Sequence, residues 1–193
     1  MDKLLKTTIL LITLSLAPVL ANAQIYELSA TGNKAVITGT SSLHDWEMDV
    51  TQFRSGIRLN REGTSVKNIE NVTFSCKARD IKSENSIMNK KTYEALKADK
   101  FPEISFTGTS LTNLVSQGNS IKGTLTGKLT LAGQTHDISL PFTGTVNEKN
   151  VSINSSAEMT FSGFGMAPPT AMLGTLKTGD KVKVAFNLQY NQK

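Results

Sequence analysis

The sequence predicts an all-β domain, an antiparallel barrel of about eight strands, and three observations carry that reading. Apolar and polar residues alternate with a period of two through most of the chain, as half-buried strands require. Short polar turns separate the alternating runs, which is the punctuation of a barrel or a sandwich. Glycines hold apolar-side positions inside the clearest runs, where a strand that only packed a core would carry side chains. Such glycines leave volume empty or let the sheet bend, and both belong to a closed sheet wrapped around something.

In chain order, residues 1–23 come first. Lys3 and Lys6 precede an apolar run, and Ala21-Asn22-Ala23 has the small-x-small form of a cleavage site, so this segment reads as a removed signal peptide. The run is short of the ~20 apolar residues a membrane span needs and contains Pro18, so no transmembrane span is expected after cleavage. No Cys lies near the cleavage site to carry a lipid. The expected location is periplasmic or secreted, in a bacterial cell envelope, and residues 24–193 are expected to form one domain.

A strand is expected over 24–29 and a long one over 35–50 that puts Trp46, Met48 and Val50 together, with 56–60 continuing after a break. Residues 66–78 contain the alternation Val72, Phe74, Cys76. Cys76 is the only cysteine, so no intramolecular disulfide can form, and its place on that face makes it a small buried apolar residue. Residues 86–98 lack Gly and Pro and set Met88, Thr92, Ala95 and Leu96 at helical spacing, which predicts a short helix with Ser86 as its N-cap. Pro102 stops it and hands over to a strand over 103–109 bearing Ile104 and Phe106.

Ile121, Gly123, Leu125, Gly127, Leu129 and Leu131 then alternate against Lys122, Thr124, Thr126, Lys128 and Thr130. After Ala132-Gly133-Gln134, Ile138, Leu140, Phe142, Gly144 and Val146 repeat the pattern, so the pair reads as an antiparallel hairpin. Residues 151–161 align Val151, Ile153, Met159 and Phe161. Residues 162–178, rich in Gly, Pro and Met, cannot be an interior strand and are expected to cover one barrel end. Met159, Met166 and Met172 would supply flexible lining near a mouth, or simple gap filling. The closing strand aligns Val182, Val184, Phe186, Leu188 and Tyr190.

Charge and motifs narrow the function classes. A formal net charge of +5, scattered along a chain with few aromatics, gives no nucleic-acid footprint. The two histidines each precede an aspartate, His44-Asp45 and His136-Asp137, but without further ligand spacing they read as hydrogen-bonding residues at strand ends, with no metal expected. Arg79, Lys82, Lys90, Lys91, Lys97 and Lys100 gather around the expected helix, where they suit a pyrophosphate headgroup or a plain solvated face. Nucleophile elbow, phosphate loop and dinucleotide fingerprint are missing from the sequence, so no enzyme activity and no cofactor are expected.

Several motifs stand together along the chain. They are Ser42-Leu43-His44-Asp45-Trp46, Asn85-Ser86-Ile87-Met88-Asn89-Lys90-Lys91, and Lys100-Phe101-Pro102-Glu103-Ile104-Ser105-Phe106. The run Gly123-Thr124-Leu125-Thr126-Gly127-Lys128-Leu129-Thr130-Leu131-Ala132-Gly133-Gln134-Thr135-His136, the later Phe164-Gly165-Met166 and the closing strand complete the set, and in this order, over nearly all of the mature chain, they resemble the YceI-like family of lipid- and polyisoprenoid-binding proteins. At Ala132-Gly133-Gln134 the chain departs from the family's usual Gly-Val, which bears on the turn and any ligand contact there. The resemblance implies a lipocalin-like antiparallel barrel whose elongated apolar cavity holds a long isoprenoid, such as a polyprenyl phosphate or a quinone tail.

Chemistry is compatible with that implication. Each buried CH₂ contributes ~0.8 kcal/mol, so a chain of isoprene units binds through transfer out of water, with no charged group required. The expected ligand-facing side chains are Trp46, Phe74, Ile104, Phe106, Leu125, Leu129, Leu140, Phe142, Met159, Phe161, Val184 and Phe186. Periodicity alone allows the same residues to fill a solid core. A carrier of a long-chain isoprenoid or other apolar lipid is therefore the first reading. An envelope protein-interaction module with a filled barrel is the second, and an enzyme acting on a bound lipid, dependent on His44 or His136, is the third. Whether the protein forms a homodimer stays open.

Overall fold

The computed structural model describes residues 23–193, the side chain of Met172 excepted. The expected signal peptide thus lies outside the described residues except for Ala23. In chain order the elements are β1 (Ala23–Leu28), β2 (Lys34–Ser41), β3 (Trp46–Val50), β4 (Phe53–Glu62), β5 (Ser65–Lys77), β6 (Ile81–Lys82), α1 (Ser86–Ala95), β7 (Glu103–Gln117), β8 (Ser120–Leu131), β9 (Gln134–Val146), β10 (Asn150–Thr160), β11 (Thr170–Ala171) and β12 (Leu176–Gln192). Eight of the strands form a closed antiparallel ring in the order β1-β4-β5-β7-β8-β9-β10-β12.

Closure depends on β1, which pairs with β4 from Ala23 to Glu27 and with β12 from Tyr26 to Leu28. β12 outruns it. Between Thr178 and Asn187 that long strand pairs with β2 instead, and β2 leads outward to β3 and β6. Among the described residues no pairing joins β3 or β6 back to β4. The ring is therefore hydrogen-bonded shut at the β1 end and splayed at the other, where α1 packs beside β6.

The expected hairpin β8–β9 forms, with Leu131 opposite Gln134, which belongs to β9 rather than to the turn. Ala132 and Gly133 take φ values of 49° and 80°, the double positive φ of a two-residue turn matched to strand twist. Gly133 also lies under the Phe101 ring, where any side chain would collide.

Five expectations are corrected. The strand expected over 35–50 is the hairpin β2–β3, turned by Ser41, whose Oγ accepts from the amides of Leu43 and His44, both at 3.2 Å. The inward parity switches across that turn, from Ala35 and Ile37 in β2 to Met48 and Val50 in β3, with Gly39 opposite Trp46, and this change of phase is the sequence signal that marks it. The helix ends at Ala95, short of the expected residue 98, and Lys97 just beyond has a φ of 52°. Its cap is Asn85, one residue before the expected Ser86: the Asn85 Oδ1 accepts from the amides of Ile87 and Met88 at 3.0 and 3.1 Å. β7 continues well past residue 109, because register shifts beyond Gly108 and Thr112 erase the two-residue period without ending the strand. Phe161 has helical backbone angles and stands outside β10.

Residues 162–178 hold two short 3₁₀ turns and β11, which pairs with the first residues of β12. The interior glycines also behave differently from expectation. Gly127 sits against the Phe106 ring and Gly123 against the Phe142 ring, so their missing side chains make room for aromatics rather than leaving voids.

Candidate functional site

The inward faces of the ring form two clusters. At the β1 end Tyr26, Leu59, Val146 and Val151 are 0% exposed and pack as a solid plug. Towards the splayed end the interior is hollow. There a cavity of about 220 Å³ opens, many times the ~15 Å³ that one water centre requires. Along β12 its lining runs from Val182 to Tyr190, eight residue steps and ~26 Å of strand, or ~20 Å along the axis of a tilted barrel.

All twelve side chains nominated from the sequence lie on this lining. Trp46 comes from β3, Phe74 from β5, Ile104 and Phe106 from β7, Leu125 and Leu129 from β8, and Leu140 and Phe142 from β9. Met159 comes from β10, Phe161 from the residue after it, and Val184 and Phe186 from β12. Phe74 stands at the centre, stacked on Phe53 at 5.3 Å between centroids and meeting Phe186 edge-on at 5.2 Å. Trp46 lies across Gly39 and donates its indole N–H to the Thr40 carbonyl at 2.9 Å, so its ring is fixed at the splayed end.

Several lining groups escaped the sequence reading. Thr92 and Ala95 of α1 and Leu96 just after it form part of the wall, as do Ile81 of β6 and Pro169 before β11. The stripe Met88, Thr92, Ala95 and Leu96 marks this face in the sequence, but only the splayed sheet explains why the helix is needed there. Met166 lines the cavity, as expected, while the side chain of Met172 lies outside the described set.

The lining is almost wholly apolar, and the hydroxyls of Ser55, Tyr190, Ser155 and Thr92 are occupied. Ser55 Oγ donates to the Thr73 carbonyl at 2.7 Å, which leaves it to accept from the Tyr190 hydroxyl, also at 2.7 Å. Ser155 Oγ donates to the Pro141 carbonyl at 2.9 Å, and Thr92 Oγ1 to the Met48 sulfur at 3.2 Å. Among the described residues no buried side-chain nitrogen or oxygen lacks a partner. Burial pushes the Cys76 thiol up to about 12, with the charges of Asp80 and Glu103 adding to the effect. Burial likewise pushes the Tyr190 phenol up to about 12 against the opposing hydrogen bond to Ser55. Both stay neutral at physiological pH, so the cavity presents no charge to an occupant.

The polar constellations do not converge on it. His44 Nδ1 donates to the Asp45 carbonyl at 2.6 Å within the β2–β3 turn, and His136 packs edge-on against Phe164. Among the described residues no group of three or more His, Cys, Asp or Glu could hold a metal ion, and no helix is long and apolar enough to cross a membrane. Of the six basic residues around α1, Arg79 pairs with Asp99 at 2.6 Å and Lys91 with Glu94 at 2.9 Å. Lys100 lies over the Phe101 ring. Lys82, Lys90 and Lys97 are exposed and form no ion pair among the described residues.

The YceI-like domain model matches residues 26–190. No curated protein sequence matches the chain. Among solved structures, the crystal structure of Burkholderia cenocepacia BcnA is similar over 84% of this chain and 98% of its own, at a TM-score of 0.67 and 15% identity. A polyisoprenoid binding domain from Saccharophagus degradans, implicated in plant cell wall breakdown, is similar over 87% and 98%, at 0.66 and 12%. The Campylobacter jejuni YCEI protein is similar over 76% and 84%, at 0.61 and 19%. The chain belongs to the YceI-like domain family.

Proposed function

We propose that this YceI-like barrel is an exported carrier that takes a long isoprenoid lipid, a polyprenyl phosphate or quinone-like molecule, tail first into its cavity and releases it unchanged. The observation that carries this reading is the cavity itself: elongated, uncharged, lined almost wholly by apolar side chains, and blocked at one end by the plug. Ten buried methylene-sized groups contribute about 8 kcal/mol, the free energy of a micromolar complex, without any specific polar contact. A binding role agrees with the polyisoprenoid binding described for the Saccharophagus degradans neighbour. It assigns no catalytic residue and no cofactor. The signal-like residues 1–23 support delivery to the periplasm or beyond the cell.

The test is lipid content. Residues 23–193, which hold every strand of the described structure, are purified from a bacterial host and examined by native mass spectrometry and solvent extraction. We expect about one lipid per chain in the wild type and at least a tenfold loss in Leu140→Asp, because a carboxylate facing a dry cavity has no partner. Lys90→Ala, on the exposed face of α1, should keep most of it. Equal lipid in all three proteins, or none in the wild type, rejects the carrier and favours an interaction module.

A further inference from the structure

We propose that the splayed end of the barrel docks on an anionic lipid bilayer through the side chains of Leu43, Ile87 and Leu173. The proposal builds on the carrier reading, since a lipid held in the cavity must enter from a membrane, but it stands on separate observations. Five large apolar side chains are markedly exposed among the described residues, and the three most exposed are these: Leu43 at 71%, Ile87 at 66% and Leu173 fully. The other two, Ile25 and Val115, lie on strands β1 and β7 and are exposed by less than half.

The three come from separate segments that meet at one rim. Leu43 is in the β2–β3 turn, three residues before the lining residue Trp46. Leu173 is in the 3₁₀ turn between β11 and β12, and this segment is tied to the β2–β3 turn because the Ser42 amide donates to the Lys177 carbonyl at 2.9 Å. Ile87 is in the first turn of α1, which the chain reaches by running along β6 antiparallel to β3, towards the same turn. Thr92 and Ala95 of that helix, and Leu96 just after it, then line the cavity. Each apolar tip is thus attached to an element of the cavity wall.

Leu173 is the most telling. Its backbone takes a φ of 56°, a left-handed conformation that disfavours leucine, and its side chain meets only solvent. Neither packing nor backbone preference explains a leucine there, whereas insertion into a lipid layer does. Around the tips Lys82, Lys90 and Lys177 are exposed and form no ion pair among the described residues, so three ammonium groups beside Asp45, Asp49 and Glu84 are available to the phosphates of an anionic surface. A lipid surface fits better than a protein partner. Protruding side chains on three separate tips offer no contiguous face of the size a specific protein interface buries, but a fluid acyl layer accepts them one by one.

The experiment is vesicle flotation of residues 23–193 with phosphatidylglycerol–phosphatidylethanolamine vesicles free of isoprenoid. The wild type should float with the vesicles. The combined variant Leu43→Ser, Ile87→Ser, Leu173→Ser should lose at least tenfold in association while keeping its melting temperature. The control pair Ile25→Ser, Val115→Ser should associate as the wild type does. Absence of wild-type flotation, or equal loss in control and rim variants, overturns the proposal. A protein partner captured by the wild type and lost by the rim variant, without flotation, overturns it too. Because the vesicles lack the ligand, failure here is separable from failure of the carrier reading, which lipid retention measures.

Discussion

The two ends of this barrel are written in the same binary pattern and built to opposite purposes. At the β1 end, Tyr26, Leu59, Val146 and Val151 interlock with no exposure. At the splayed end the same alternation, continued along β8, β9 and β12, faces a cavity. The difference lies in pairing rather than composition. Where β1 bridges β4 and β12 the circumference is set by eight hydrogen-bonded strands, an interior that side chains fill. Where β2 replaces β1 beside β12, β3 and β6 lead away from β4, the wall widens, and α1 must complete it. Hollowness here is a property of topology, and no single residue encodes it.

Truncating a side chain at each end should break or confirm this contrast most forcefully. Leu59→Ala removes a fully packed side chain and should cost ~3 kcal/mol, because the plug cannot collapse around the void. Leu140→Ala removes a side chain that already borders empty space, so it loses contacts on one side only and should cost ~1 kcal/mol. Urea unfolding of the two variants measures both. Equal losses would mean that the splayed end is as solid as the plug.

Much of this architecture was legible from sequence, and what escaped shares one cause. Period-two alternation located the inner faces of β8, β9 and β12 residue by residue, because a strand's pleat fixes direction. The turn at 42–45 shows only as a switch of inward parity, from Ala35 and Ile37 in β2 to Met48 and Val50 in β3, and the signal fades along β7, where register shifts upset parity. All twelve nominated side chains lie on the cavity, yet parity says only that a residue points inward, not whether the inside is filled. Leu129 and Val146 both look inward, one onto the cavity and one into the plug. That distinction arises from which strand lies beside β12, a long-range fact beyond local periodicity. Gly127 and Gly123 were misleading for a related reason, since their space is taken by rings from other strands or positions, Phe106 and Phe142.

A second contrast can be sharpened by pH: the splayed end is hollow but dry. Cys76 lines the cavity, and burial raises its thiol to about 12, so it should resist thiol reagents at pH 8 unless the protein unfolds. The unfolded thiol ionises near 9.0, and the folded one does so only near 12, so its contribution to stability is complete below pH 9 and is lost as pH rises towards 12. The slope is ~1.4 kcal/mol per pH unit. Cys76→Ala should flatten the stability curve between pH 9 and pH 10, before tyrosines and lysines titrate. A Cys76 that reacts freely at pH 8 in the folded protein would indicate a water-filled cavity.

The smallest effect concerns the helix that walls the splayed end. Asn85 accepts hydrogen bonds from two amides of the first turn of α1, while Ser86 contributes no side-chain bond to the cap. Asn85→Ala should therefore cost ~1 kcal/mol and Ser86→Ala close to nothing. Because α1 supplies the cavity wall but takes no part in the hydrogen-bonded ring, loss of its cap should be felt locally. Hydrogen exchange in residues 86–95 should accelerate in Asn85→Ala while β1 and β4 keep their protection. If instead exchange rises equally in helix and plug, the two ends unfold as one unit, and the splayed end is not an independent element that could open for a ligand.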